Sequence, residues 1–194
     1  MKKRFKAYKK YFFKIFTINS LYGAKKAVKE FLFSRYLYKK GLSCMAAKFV
    51  KIRFIRGRKY AYVVYDFYPT FIDFNKELAS MGDEEKYKWC RQSYLLAARL
   101  HSLRLRHGDL CYRNFLLKDG KLYIFDLEGI RFVPFAFLAM REIYDMFKSS
   151  LKYIDVEVAL DFFELYLANL KYGVFTKKIT TKYLMKKIRN DGFI

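Results

Sequence analysis

Apolar and polar positions change period several times along the chain, and each change marks an element. Residues 11–16, Tyr-Phe-Phe-Lys-Ile-Phe, form an aromatic run that predicts a strand, followed by a turn region over 17–23. Residues 24–40 carry helical spacing and stop at Gly41, as a helix closed by a glycine cap would. Residues 49–55 and 60–66 are β-rich runs on either side of Arg56-Gly57-Arg58-Lys59, the pattern of a hairpin. A long helix is predicted over 84–105, with Trp89, Leu96, Leu100 and Leu103 near one face. Two short strands, 114–117 and 121–125, flank Asp119-Gly120, a strong signal for a tight turn. Residues 136–153 and 156–172 read as two more helices, and 177–189 as a short basic helix or tail. No linker rich in Gly, Ser or Pro and no internal repeat breaks this order, so the 194 residues are expected to form one domain.

Composition narrows the class. A hydrophobic content of 54% excludes intrinsic disorder. No run of 18 uncharged apolar residues is present to span a bilayer. Lys14 interrupts the early apolar run at 11–16, so a secretory signal is not expected. Cys44, Cys90 and Cys111 lack metal-ligand spacing and read as reduced thiols in a cytosolic protein.

Charge changes the picture more. Residues 1–65 hold 19 Lys and Arg against a single acid, Glu30, for a net +18, whereas residues 66–194 carry only +4. Phe5, Tyr8, Tyr11, Phe12, Phe13 and Phe16 are interleaved with the cations. That mixture suits an anionic membrane surface, where rings sit at the interface and cations meet headgroups. It suits nucleic acid as well. The membrane is the preferred partner.

The candidate chemistry lies in His107-Gly108-Asp109-Leu110-Cys111-Tyr112-Arg113-Asn114 and in Ile124-Phe125-Asp126. An acid, an amide five residues on and a second acid closing an apolar strand are what phosphoryl transfer from Mg-ATP requires. Asp109 would receive or orient the acceptor hydroxyl, while Asn114 and Asp126 would hold Mg2+ against the phosphates. The predicted hairpin brings Asn114 and Asp126 to one end, which suggests a shared metal.

Residues 96–131 resemble the catalytic loop and metal-binding segment of eukaryotic-like kinases. His-Gly-Asp in place of His-Arg-Asp, and Asp126-Leu127-Glu128-Gly129 in place of Asp-Phe-Gly, resemble the aminoglycoside phosphotransferases more than protein kinases. Asn-Phe-Leu-Leu-Lys-Asp-Gly-Lys running into Ile-Phe-Asp-Leu-Glu-Gly is most similar to the bacterial lipopolysaccharide core kinases, which phosphorylate heptose or 3-deoxy-D-manno-octulosonic acid. The resemblance implies an α+β, two-lobed protein-kinase-like fold with a reduced N-terminal lobe (1–68) and a helical C-terminal lobe (69–194). It implies ATP and Mg2+ as cofactors and a sugar or glycolipid acceptor. The basic N-terminal third would hold the protein at the cytoplasmic, inner face of the plasma membrane. A small-molecule kinase of the aminoglycoside or choline type is one alternative. A non-catalytic pseudokinase that binds nucleic acid or membrane through the basic lobe is another.

The resemblance also assigns roles. In kinase-like folds a helix glutamate pairs with a strand lysine that reaches the ATP phosphates. Glu30 and Lys14 are the best fit, with Lys9, Lys10 and Lys48 as rival lysines and a surface pairing of Glu30 with Lys26 or Lys29 as the plainer reading. Arg113 stands where tyrosine kinases place an arginine, four residues after the catalytic acid. It would supply positive charge to the transferring phosphoryl group, unless it is a surface ion pair. Asp145 resembles the helix acid that braces the catalytic loop through backbone amides, and His107 reads as a packed loop residue. Only Gly23 occurs before Gly41, so no glycine-rich loop precedes Lys14. The phosphate cover is therefore reduced or the chain shortened, which keeps the non-catalytic alternative open. Only 19 residues separate Asp126 from Asp145, too few for a peptide-docking activation segment, so a small acceptor or glycolipid headgroup is expected.

Overall fold

Residues 4–8, 11–18, 21–55, 57–66 and 72–193 are described by a computed structural model. The chain opens with β1 (Arg4–Tyr8), β2 (Tyr11–Ile18), α1 (Leu21–Lys39), β3 (Ala47–Ile55) and β4 (Arg58–Asp66). Next come β5 (Ile72–Asp73), α2 (Phe74–Ser80), α3 (Asp83–Ser102), β6 (Leu105–Arg106), β7 (Phe115–Lys118), β8 (Lys121–Ile124) and β9 (Arg131–Phe132). Three helices close it: α4 (Met140–Ser150), α5 (Val156–Asn169) and α6 (Val174–Asn190). These fall into two compact units, Met1–Phe71 with Leu117–Ile130, and Ile72–Leu116 with Arg131–Ile194. The architecture is α+β and kinase-like.

The first unit is an antiparallel sheet, in the order β1-β2-β4-β3, beside α1. Period-2 alternation along β2 turns Lys14 and Phe16 inward, opposite Val63 and Ala61 of β4, and all four are buried. α1 meets the sheet with a stripe of Ala27, Glu30, Ser34 and Leu37, buried at helical spacing. Its end is a Schellman cap. Gly41, at φ 69°, donates to the Tyr38 carbonyl, and Leu42 donates to that of Leu37, while Leu37 and Leu42 are both buried. Asp119 and Gly120 both have positive φ, 48° and 67°, as the tight turn between β7 and β8 demands. The Ile124 amide then donates to the Ser43 carbonyl at 2.9 Å, which fastens β8 beside the chain leaving α1.

In the second unit α3 supplies the core with Trp89, Cys90, Tyr94, Leu96, Ala97 and Leu100. Asp83, Glu84 and Glu85 in its first turn suit the positive end of the helix dipole. No helix among the described residues is long and apolar enough to cross a membrane.

Several sequence-based boundaries move. Among the described residues one strand, β1, stands before β2, which runs on to Ile18 because Thr17 and Ile18 keep their register with Tyr60 and Lys59. α1 begins at Leu21, which leaves little of the expected turn over 17–23. The α3 helix stops at Ser102, and Arg104, at φ 57°, reverses the chain into β6, which pairs with β9. The helix expected over 136–153 is a short 3-10 turn followed by α4. The basic segment near the C-terminus is a full helix, α6, seated through Thr180, Leu184 and Ile188. Cys44 and Cys90 are buried free thiols, pushed up by desolvation to about 12 and about 11, while Cys111 is only half-buried.

Replacing Gly120 by Val should cost about 1–2 kcal/mol, since a branched side chain must take a left-handed backbone. A Cβ there meets nothing within 4 Å, so the loss is conformational and not steric. Thermal denaturation beside Gly173→Ala, an equally open site without positive φ, checks this: the two variants should differ by several degrees in Tm.

Candidate active site

Lys14 is the centre of a buried electrostatic cluster in the first unit. Its Nζ donates to Glu30 Oε2 and to Asp126 Oδ1, and Glu128 Oε2 lies 3.6 Å away. The Tyr65 hydroxyl donates to the other Glu30 oxygen. Lys14 and Glu30 are fully buried, and Asp126 is largely so. Burial pushes the Glu30 carboxyl above the ordinary glutamate value, against the pull of Lys14 and the hydrogen bond from Tyr65. Lys14 also lies 5.1 Å from the centre of the Phe16 ring and 5.6 Å from that of Phe125, a favourable seat for an ammonium.

Each partner arrives for a local reason. Glu30 sits on the buried stripe of α1. Asp126 ends the β8 hairpin, where φ turns to 63°, a left-handed conformation that aspartate tolerates better than most residues. The preceding Phe125 packs edge-on against Phe12 and Tyr65 at 5.8 Å and 6.2 Å. The rival lysines are placed differently. Lys48 pairs with Asp66 at 2.8 Å, and Lys9 and Lys10 lie outside the described residues. Lys26, the suggested surface partner of Glu30, pairs with Glu128 at 3.3 Å instead.

Carboxylate oxygens of Glu30, Asp126 and Glu128 lie within 4.8 Å of one another, a hard-oxygen set of the kind Mg2+ prefers. Of these, Glu128 was not singled out from the sequence, nor was Tyr65. A glutamate two residues after a metal-type aspartate carries no separate signal until the 3-10 turn at Leu127–Gly129 folds it back.

The second unit holds the catalytic-type loop. Arg113 Nη2 donates to both oxygens of Asp109 at 2.9 Å, and Asn114 Nδ2 donates to the Asp109 carbonyl at 2.6 Å and to its Oδ2 at 3.2 Å. Partial burial raises the Asp109 carboxyl, but Arg113 and Asn114 outweigh it, so the group stays below the ordinary aspartate value. Asn114 is buried, and with its nitrogen engaged in donation its oxygen is the group left for a cation. Asp109 and Arg113 are both exposed.

The brace of this loop is Glu142, not Asp145 as the sequence suggested. Glu142 Oε2 accepts from the His107 amide at 2.9 Å, and Oε1 accepts from the Gly108 amide. His101 Nε2 donates to Glu142 at 3.2 Å, while its Nδ1 pairs with the Tyr166 hydroxyl at 2.9 Å. Asp145 stands one turn further along α4 on the outer side, half-exposed beside Arg141. Helix phase decides between the two acids: α4 starts at Met140 and buries Glu142, Ile143, Met146 and Phe147. The signal available in the sequence was the apolar pair Met146-Phe147, which places position 142, not 145, on the inner face. His107 is packed and buried, as expected.

A kinase-like fold that carries a buried lysine–glutamate pair and a braced His-Gly-Asp loop belongs to the phosphotransferase class. Residues 6–132 match the Lipopolysaccharide kinase (Kdo/WaaP) family, 127 of the 194 residues, and the chain belongs to that family. No curated protein matches it. Membership makes phosphotransfer the reaction class and lipopolysaccharide the acceptor class.

Glu142→Gln tests the brace. Burial raises this carboxyl, but His101 and the Gly108 and His107 amides hold it below the ordinary glutamate value. Its contribution is therefore fully present above about pH 4.3 and lost as pH falls through the lower, folded value. The variant should lose about 1.5–3 kcal/mol at neutral pH, the range for a charged acceptor of buried donors. Urea denaturation should show that gap closing below about pH 4. A gap that stays constant with pH would remove the charged brace.

Proposed function

We propose that the chain transfers the terminal phosphoryl group of Mg-ATP to a sugar hydroxyl of a lipid-linked acceptor, the inner core of lipopolysaccharide. The observation that carries this reading is the fully buried Lys14 ammonium between Glu30 and Asp126. Burying an ammonium is costly, and a site that gathers three carboxylates around it is suited to trading one of those contacts for phosphate. Lys14, oriented by Glu30, would bind the α- and β-phosphates.

Asn114 and Asp126 are the proposed Mg2+ ligands, with Glu128 a further carboxylate close to Asp126. When bound, the ion would neutralise charge on the phosphates. Asp109 is the group for the acceptor hydroxyl. Held below the ordinary aspartate value, it is ionised at neutral pH and so able to orient the hydroxyl and to accept its proton as transfer proceeds. Arg113 is the proposed stabiliser of charge on the moving phosphoryl group. Its two bonds to Asp109 keep the guanidinium beside the acceptor-binding carboxylate. The +18 of residues 1–65 favours work at the inner face of an anionic membrane, where a lipid-linked acceptor is found.

Transfer of label from ATP to extracted core glycolipid is the deciding assay. Asp109→Asn should lower the rate by about 10²–10⁴-fold with the fold intact, the usual span for a proton-handling group. Retention of more than about a tenth of the rate would remove Asp109 from that role. Phosphorylation of soluble alcohols but not glycolipid would favour the small-molecule reading, and absence of any ATP turnover the non-catalytic one.

Asp126→Ala and Asn114→Ala should each weaken nucleotide binding in the presence of magnesium and much less in its absence. Calorimetric titration with and without Mg2+ checks this. Unchanged magnesium-dependent affinity in both variants would sink the metal assignment.

A further inference from the structure

β3 is an edge strand of the four-stranded sheet, and its outward positions are unusual for a soluble edge. Phe49, Ile52, Phe54 and Ile55 are 46%, 50%, 68% and 43% exposed, four large apolar side chains within seven residues. Edge strands of this length are normally kept polar, because their open backbone groups and apolar side chains template aggregation. Lys51 and Arg53 lie between these residues, and Arg58 and Lys59 follow across the hairpin, all exposed. Strand alternation puts Phe49, Lys51, Arg53 and Ile55 on one face and Ile52 and Phe54 on the other. The apolar groups thus project from both sides of one edge, as a wedge does.

We propose that the β3–β4 hairpin docks edge-on into the interface of an anionic bilayer. Phe49, Ile52, Phe54 and Ile55 would enter the boundary between headgroups and acyl chains, and Lys51, Arg53, Arg58 and Lys59 would meet lipid phosphates. This rests on the membrane-linked acceptor proposed above, and it assigns the contact to a segment separate from the basic residues that precede Lys14.

Charge chooses the occupant. Residues 47–59 contain Lys48, Lys51, Arg53, Arg56, Arg58 and Lys59 and no acid. Among the described residues no carboxylate pairs with Lys51, Arg53 or Arg58. A second copy on this edge would set like charges against one another, which disfavours strand pairing between two chains. A nucleic acid would satisfy the cations but offers no apolar layer to isoleucine side chains. An anionic lipid surface offers both layers at the right spacing. Lys59 Nζ lies 4.8 Å from the centre of the Phe54 ring, so cation and ring occupy adjoining depths, as headgroup and acyl boundary do. Depth is bounded too: the open N–H and C=O groups of an edge strand need polar partners, which headgroups and their water provide and hydrocarbon does not. The hairpin therefore rests at the interface and does not cross it.

The test uses the full chain and vesicles of phosphatidylcholine with or without phosphatidylglycerol. Trp89, the sole tryptophan, is buried, so Phe54→Trp adds an indole at the proposed contact against a quiet background. In phosphatidylglycerol vesicles brominated near the headgroup end of the acyl chain, that added emission should be quenched while the parent protein's changes little. The triple variant Ile52→Ser, Phe54→Ser, Ile55→Ser keeps every charge and replaces only exposed side chains. It should partition onto these vesicles on the order of tenfold or more weakly.

Binding with no quenching, or equal binding by the triple variant, overturns the hairpin while leaving the wider membrane reading in place. Absence of binding by the parent overturns both. A solution mass of two chains that falls to one in the triple variant would make this edge a dimer contact and overturn the proposal.

Discussion

A lysine ammonium with no exposure to solvent sets the terms for the first unit. Removing such an ion from water costs several kcal/mol even after relaxation, and only close, well-made contacts with opposite charge offset it. Lys14 has Glu30 and Asp126 in direct contact and Glu128 nearby, with aromatic rings on its flanks. Those partners come from a helix and, far along the chain, from a hairpin end and the 3-10 turn that follows it. The unit therefore cannot shift α1 or the β8 hairpin without stranding a buried charge. The Schellman cap and the Ser43–Ile124 hydrogen bond fix both elements at their junction, which limits such a shift. An apolar residue at position 14 would leave the Glu30 and Asp126 carboxylates buried without their cation, so the lysine and its acids are fixed as a set.

The second unit answers a different demand with the same chemistry. A catalytic-type loop has irregular backbone, and its amides lack the partners that a helix or sheet would give. Glu142 takes two of them, and His101 and Tyr166 hold Glu142 from behind. The result is a buried chain of hydrogen bonds running from α5 through α3 and α4 to His107 and Gly108. Gly108, at φ 96°, occupies a backbone region that L side chains rarely adopt. An arginine here, as protein kinases carry, would need a different loop path.

Much of this was legible before any coordinates. The Asp-Gly turn and the glycine cap of α1 rest on short-range rules, and both formed where local chemistry placed them. The pairing of Lys14 with Glu30 was legible for a compositional reason: one acid among 19 cations is conspicuous, and helical spacing put it on an inner face. What stayed hidden depends on phase and length. The α2 helix spans only Phe74–Ser80, less than two full periods of pattern, and it left no readable trace. Asp145 and Glu142 lie about one turn apart on α4, and only the phase set by the apolar pair Met146-Phe147 separates them. Glu128 and Tyr65 enter the Lys14 cluster only through tertiary packing, which no local pattern encodes.

Scarcity of acids connects the interior with the surface. The first 65 residues hold their one carboxylate, Glu30, inside the fold, where it pairs with Lys14 and screens none of the exposed cations. The second unit likewise places Glu142 inward, against backbone amides. Exposed charge on the first unit is consequently almost all positive, and it raises the local concentration of any polyanion, nucleotide or lipid headgroup alike. That field cannot choose among polyanions. Selection has to come from groups with geometry: a buried ammonium of fixed direction, a carboxylate aimed by Arg113 and Asn114, and apolar side chains standing beside the cations of β3. The general attraction and the specific contacts thus reside in different residues, and either set can change without dismantling the other.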